Sequence, residues 1–363
     1  MPAIVNRGLC ARSAAMLATL AALLSACATS GTSSSVASGA GNPGAESPVL
    51  TPKMLAAQEA LSKMVAQQDR LYKVAAPLLI NNAELCKTQA RNLLGFTAKN
   101  KYSFSDAYAD AAQQALGYGE QLQVSGVLTG SGAARAGLRK GDGLIDADGK
   151  ALPTGPNAET GAAAVFGQAI GSRATLAMTI ARGNGHQVLN VPVTRACGFR
   201  VELGNADNIN SYADGQRVML TRGMLEFAQS DQAIAYVMAK GIAHNILGHA
   251  ATQHTTATIG SIIDNLVSVR PDLSLLIGSG GMKAMPQEPD AAADHLALYL
   301  LARAGYDIDH AAAFWQRLAS QYPASILNGY VANHPGTAYR IAAINRTVGE
   351  IKAKLGARTP LLP

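Results

Sequence analysis

The chain has 363 residues, 48% of them hydrophobic, which is enough for two modest hydrophobic cores. Its formal net charge is +6, but Lys and Arg are spread along the chain without a dense run. This distribution excludes the concentrated basic patch of a nucleic-acid-binding protein, so we expect no nucleic-acid partner.

The first residues have the pattern of an export signal. Arg7 and Arg12 precede an apolar stretch, residues 13–24, that is shorter than the roughly 20 residues of a membrane-spanning helix. The stretch ends in Leu24-Ser25-Ala26-Cys27, which resembles the lipobox of bacterial lipoproteins. The resemblance implies a signal peptide at residues 1–26, acylation of Cys27 with palmitate-type chains and a stable lipid anchor. An ordinary secretory signal with a chance cysteine is the alternative.

The segment after the cysteine predicts how the anchor is used. Residues 27–50 are rich in Gly, Ser, Ala and Pro, which is typical of a flexible tether. Ala28, rather than Asp, follows the lipidated cysteine, which favours the outer membrane over the inner one. We therefore expect a lipid-anchored protein on the periplasmic face of the bacterial envelope, in contact with the membrane through Cys27.

Two cysteines, Cys86 and Cys197, remain in the mature chain besides the lipidated one. Because an exported protein folds in an oxidising compartment, we expect them to form a disulfide. Two buried free thiols are the alternative.

The sequence pattern of residues 118–196 predicts a small β-rich unit. A one-turn helix at 133–136 lies between Gly-rich turns, and a tight turn at Asp148-Gly149 follows a short strand. A helix at 159–170 and two strands complete the unit, which resembles bacterial PDZ domains. The resemblance implies that peptides bind by adding a strand to a sheet edge and by placing their carboxylate on backbone amides. The candidate carboxylate loop is Leu116, Gly117, Tyr118 and Gly119, with a plain structural turn as the alternative.

Residues 231–248 predict an apolar helix that carries the first candidate site residues. Lys240 and His244 are four residues apart, so they lie on one face of the helix, one turn from each other. This is the spacing with which a His-Glu-x-x-His helix presents two imidazoles to a zinc ion and a glutamate to the attacking water.

Several further blocks keep the order and spacing of one enzyme family. They are residues 210–226, the run from Asp294 to Asp307, and the run from Asn333 to Ile344. Together they resemble metallopeptidase family 48. The resemblance implies an α+β fold, with a mainly helical zincin-type (gluzincin) metallopeptidase domain at residues 197–355. Its N-terminal helical part would be residues 51–117, and the PDZ domain would be inserted between the two.

The motif residues themselves depart from that family. Lys240 stands at the first histidine ligand and Gly241 at the general-base glutamate, while His244 matches the second histidine. The third ligand, a glutamate in the family, falls on Asp290. Loss of a positioned general base typically costs ~10²–10⁴ in rate. A Lys⁺ about 4 Å from Zn²⁺ would be repelled by roughly 8 kcal/mol at an effective dielectric of 20.

Other polar residues of the motif region are assigned by the same resemblance. Asp294 would orient a ligand, and His334 would face the site with Arg340 a short distance after it. We predict that His249 packs on the opposite face of its helix. His295 remains a less favoured substitute ligand.

These departures predict a pseudopeptidase from which zinc has been lost. In the favoured hypothesis, Lys240 forms an ion pair with Asp290 in place of the metal; a lysine that extends to solvent is the alternative. Such a protein would bind peptides or unfolded envelope proteins in quality control or assembly. The competing hypotheses are a zinc metalloendopeptidase with a non-standard metal site and a pure adaptor in which only the PDZ groove matters.

Overall fold

The computed structural model describes residues 51–171, 173–249, 287–322 and 338–363. The described helices are α1 (Pro52–Ile80), α2 (Asp106–Leu116), α3 (Gly132–Arg135), α4 (Ala158–Ile170), α5 (Arg222–Ala228), α6 (Asp231–Ile246), α7 (Gln287–Arg303), α8 (Ala311–Gln321) and α9 (Ala338–Gly356), with short 3₁₀ helices at Lys87–Gln89 and Lys101–Ser103. The strands are β1 (Ala90–Leu93), β2 (Phe96–Lys99), β3 (Gln123–Val127), β4 (Gly143–Ala147), β5 (Lys150–Ala151), β6 (Thr175–Arg182), β7 (Gly185–Pro192), β8 (Thr194–Cys197), β9 (Arg200–Gly204), β10 (Ser211–Ala213) and β11 (Arg217–Thr221). The predicted α+β class is confirmed.

The longest helix, α1, starts at a well-formed cap. The Thr51 side chain accepts a hydrogen bond from the Met54 amide, and Pro52 occupies the first turn, where its missing N–H costs nothing. The C-terminal half of α1 is buried and packs against α6. This contact makes α1 part of the larger core, together with α6 and α7.

A six-stranded sheet forms the β-rich part of the chain. Its order is β2-β3-β4-β6-β7, with β5 paired to β4, and its pairs are antiparallel. Phe166 of α4 packs edge-on against Phe96 of β2, so the helix covers one face of this sheet. Because β2 belongs to the sheet, the sheet begins ahead of residue 118, where we predicted the start of the inserted unit.

A small sheet of order β10-β11-β9 supports α6. Asn245, near the end of α6, is completely buried; its amide donates to the Arg217 carbonyl, and its side-chain oxygen accepts from the Gly215 amide. These bonds hold the C-terminal turns of α6 against β11. Among the described helices, none combines the length and the apolar character needed to cross a membrane.

A disulfide joins Cys86 to Cys197, as predicted. Cys86 follows α1, and Cys197 ends β8, where it pairs with Ala90 of β1. The bond therefore ties the end of α1 to the strand that leads out of the large sheet. Cys27 and the tether lie outside the described residues.

Candidate functional site

Two helices bring the predicted site residues together. Lys240 and His244 are one turn apart on α6, and Asp290 and Asp294 are one turn apart on α7, which packs against α6. All four are at most 7% exposed. The structure thus places Lys240, His244, Asp290 and Asp294 in one buried cluster.

The Lys240 ammonium lies between the two carboxylates. Its nitrogen is 2.6 Å from Oδ1 of Asp290 and 3.0 Å from Oδ1 of Asp294. The predicted ion pair between Lys240 and Asp290 is confirmed, and the alternative in which this lysine extends to solvent is wrong, because the side chain is only 4% exposed.

A second cation completes the cluster. The Arg340 guanidinium donates to both carboxylate oxygens of Asp294, at 2.5 and 2.8 Å, so the pair is bidentate. Burial by itself would raise the pKa of Asp294, but the charges of Lys240 and Arg340 outweigh it and lower this pKa. Asp294 therefore holds two cations rather than the ligand imidazole that the family pattern implies.

Trp315 of α8 closes the cluster from one side. Its ring lies 4.3 Å from the Arg340 guanidinium carbon and 5.0 Å from the Lys240 ammonium. Both distances are within the range of a cation–π contact. Sequence reasoning missed Trp315, because nothing in the pattern around it differs from an ordinary core helix.

His249 belongs to the site, contrary to our prediction that it packs on the opposite face of α6. The helix ends at Ile246, and Gly248, with φ +70°, reverses the chain so that the His249 amide donates to the His244 carbonyl. The Nδ1 atoms of the two imidazoles are then 3.0 Å apart. A glycine that ends a helix in this way was the signal that could have predicted the turn.

Both imidazoles favour the neutral form. Burial, assisted by the charge of Lys240, lowers the pKa of His244, although Asp290 opposes this shift. Burial and the neighbouring His244 lower the pKa of His249. Neutral rings allow one Nδ1 to donate and the other to accept across the short contact.

Gly241, at the general-base position, faces β11. A β-carbon added to it would lie 2.6 Å from Cγ1 of Val218, closer than side chains approach each other. Helix α6 therefore sits too near the strand to carry a glutamate at this position without a shift of one of them.

The remaining candidates lie elsewhere. His295 contacts the Thr347 hydroxyl and the Tyr299 ring, so it is not a substitute ligand in this cluster. His334 lies outside the described residues. In the described part of the chain, no group of three or more His, Cys, Asp or Glu side chains is arranged to hold a metal ion.

The candidate carboxylate loop forms the end of α2. Gly117, with φ +71°, caps the helix, and its amide donates to the Gln113 carbonyl. The Tyr118 amide donates to Ala112, and the Tyr118 ring is buried against Phe104. With these two amides engaged by the helix, the arrangement of Leu116, Gly117, Tyr118 and Gly119 favours the structural turn.

Residues 186–348 match the model of peptidase family M48. The mitochondrial metalloendopeptidase OMA1 of Schizosaccharomyces pombe is 25% identical over 146 residues, 39% of this chain and 43% of that protein. The match thus spans less than half of that relative. Among solved structures, the HtrA3 PDZ domain bound to a phage-derived ligand (FGRWV) aligns with 29% of this chain and 88% of its own, at 15% identity and a TM-score of 0.22. That score is too low to support an argument about the β-rich unit.

Peptidase family M48 is typically zinc-dependent, so the site can be tested for its fit to zinc. The Lys240 ammonium stands at the position that the resemblance assigns to the first ligand, and it binds Asp290, at the position that the resemblance assigns to the third. Three neutral or anionic donors are the usual requirement of a catalytic zinc. The described residues, as they are arranged, do not fit the ion.

Proposed function

We propose that this chain is a metallopeptidase-like protein without peptidase activity, which binds peptides or unfolded proteins at the bacterial envelope. The observation that carries the proposal is the position of Lys240, whose ammonium lies 2.6 Å from Asp290 at the centre of the M48-like site. The lysine supplies locally the positive charge that zinc would otherwise bring to these carboxylates.

The general-base position supports the same proposal. Gly241 offers no side chain, and Val218 fills the space where a larger residue would begin. A peptidase that hydrolyses its substrate through this position would need both a general base and space for its side chain. The site therefore favours a structural role for the α6–α7 pair.

Peptide binding would use an edge of the large sheet. In the described part of the chain, β7 is one edge of this sheet, its residues 185–188 are exposed, and Val188 is 66% exposed. An open edge offers unpaired backbone groups to an added strand. This arrangement supports binding of extended peptides without a requirement for their hydrolysis.

Metal content and cleavage test the catalytic part of the proposal. Protein purified without added metal should contain far less than one zinc per chain and should leave casein intact. A matched variant, Lys240→His with Gly241→Glu and Val218→Ala, restores the ligand, the base and the space for it. Stoichiometric zinc in the unmodified protein, together with cleavage that a chelator stops, would instead establish a zinc endopeptidase with a non-standard site.

Crosslinking tests the binding part. A photoreactive amino acid at Val188 should capture reduced α-lactalbumin, whereas the same group at Tyr339, an exposed position on α9, should not. Equal capture at both positions, or none at Val188, would contradict binding at the β7 edge.

The lipid anchor has its own test. Incorporation of labelled palmitate into the full chain should be abolished by Cys27→Ser and kept in Cys86→Ala/Cys197→Ala, which lacks only the disulfide. Labelling that survives Cys27→Ser would show that the lipobox interpretation is wrong.

A further inference from the structure

A cleft on the far side of β2 from α4 contains a buried lysine. It is lined by side chains of α1, β2, β3 and β9, and the space between them, together with the open solvent at its mouth, is about 520 Å³. Lys99 of β2 contributes the ammonium, and Phe104 lies beside it, with its ring centroid 5.5 Å from that ammonium.

The Lys99 ammonium has no direct ion-pair partner among the described residues, and the carboxylates of Glu159 and Asp69 act on its charge only at longer range. The residue is only 9% exposed, yet no described side chain forms a salt bridge or hydrogen bond with its ammonium. Its neighbour Lys101, by contrast, is paired with Glu120 at 2.5 Å. Burial lowers the pKa of Lys99 to about 8, so the group is still mainly charged at neutral pH. An unpaired buried charge is costly, and such groups normally acquire a partner.

Other polar groups of the cleft are already engaged. Asp69 pairs with Lys140 at 2.5 Å. Gln68 bonds the backbone of β9, since its side-chain oxygen accepts from the Leu203 amide. Ser125 donates to Thr97.

Tyr118 offers the second polar group. Its hydroxyl makes no hydrogen bond with a described residue, and burial raises its pKa to about 12, so it remains a phenol that can donate. Apolar atoms of Met64, Val65 and Leu203 form much of the remaining wall. The cleft thus places the Lys99 ammonium and the Tyr118 hydroxyl beside an apolar wall, with Tyr72 and the paired Asp69 also in its lining.

We propose that this cleft binds a small carboxylate with an apolar chain, its carboxylate on Lys99 and Tyr118 and its chain against Met64, Val65 and Leu203. One ammonium matches one negative charge. A phosphate dianion would leave a second charge uncompensated near Asp69, so the cleft favours a monoanion. Fatty acids and the free C-termini of apolar peptides carry the same chemistry. The proposal does not depend on the absence of peptidase activity.

Calorimetry with hexanoate and N-acetylleucine tests this site in the full chain. Hexanoate should bind the unmodified protein, and hexanamide, which lacks the charge, should bind much more weakly. Lys99→Met should weaken hexanoate binding about tenfold or more, since a charge-assisted hydrogen bond is lost. Lys101→Met is the matched control and should bind as the unmodified protein does.

The two acids also distinguish the source of the ligand. Tighter binding of N-acetylleucine points to peptide C-termini, and tighter binding of hexanoate points to fatty acids. Failure of both acids to bind, equal binding of hexanamide, or full binding by Lys99→Met would overturn the proposal.

A second measurement needs no variant. Labelling by an amine-reactive reagent, followed residue by residue with mass spectrometry, should be slowed at Lys99 by hexanoate and unchanged at Lys101. Slowing at both lysines or at neither would also overturn the proposal.

Discussion

A β-carbon at position 241 would lie 2.6 Å from Cγ1 of Val218, so α6 and β11 are in contact at the position that the resemblance to metallopeptidases assigns to the general base. The short approach connects the amino-acid change at 241 to the packing of the helix. Because residue 241 is glycine, the helix can lie this close to the strand. Packing against Val218 would therefore oppose a glutamate at position 241 unless Val218 were also changed.

Gly241→Ala should therefore destabilise the protein. Forced overpacking costs about 1–3 kcal/mol, while the higher helix propensity of alanine returns roughly 0.5–1 kcal/mol. Urea unfolding followed by circular dichroism should show a net loss in the free energy of unfolding.

The same substitution at an open site is the control for this effect. Gly349, exposed within α9, has no atom within 4 Å of an added β-carbon, so Gly349→Ala should be neutral or stabilising. Val218→Ala/Gly241→Ala should lose less stability than the sum of the two single losses, because the two sites share one contact. Additive costs for the pair would contradict the packing argument.

The buried ion cluster predicts strong coupling between Lys240 and Asp290. Lys240→Met leaves the carboxylates with one cation fewer, and removal of one member of a buried pair typically costs about 3–5 kcal/mol. Lys240→Met/Asp290→Asn restores the charge balance, so its cost should be well below the sum of the two single substitutions. Lys63→Met, at the exposed pair with Glu226, should change stability little. A double variant whose loss equals that sum would show that the two groups do not interact.

The sequence predicts the positions of site residues within regular helices, but not the positions of residues that follow a helix end. The spacing of Lys240 and His244 on one helix placed both side chains correctly, because an α-helix fixes the geometry of residues four apart. The same reasoning misplaces His249, because the predicted helix runs through Gly248, whereas the observed helix ends before it. Trp315 joins the cluster through the packing of α8, which depends on tertiary contacts far apart in the sequence.

The disulfide between Cys86 and Cys197 should contribute strongly to stability. The two residues are 111 positions apart, and a crosslink that closes a loop of about 100 residues restricts the unfolded chain by roughly 4–5 kcal/mol in the chain-entropy account. Reduction should lower the thermal midpoint of the unmodified protein. Cys86→Ala/Cys197→Ala should unfold at that lower temperature with or without reductant. An unchanged midpoint on reduction would mean that the bond constrains little.

Because burial lowers the pKa of Lys99, we expect the free energy of unfolding to increase with pH over a defined range. Its pKa in the folded protein is about 8, whereas the ordinary lysine value is 10.5, so above pH 8 the unfolded chain binds more protons than the folded one. Stability then rises with pH. The rise should be visible between about pH 8 and 9.5, below the ordinary ionisation of tyrosine near pH 10.

Other groups titrate in the same window, so the prediction concerns a difference between two proteins. The free energy of unfolding of the unmodified protein, relative to Lys99→Met, should increase steadily from pH 8 to about 9.5, because the variant lacks the group that releases the proton. Lys101→Met should follow the unmodified protein in this respect, since its ammonium is paired at the surface with Glu120. Parallel pH curves for the unmodified protein and Lys99→Met would mean that Lys99 keeps an ordinary pKa and that the cleft does not bury its charge.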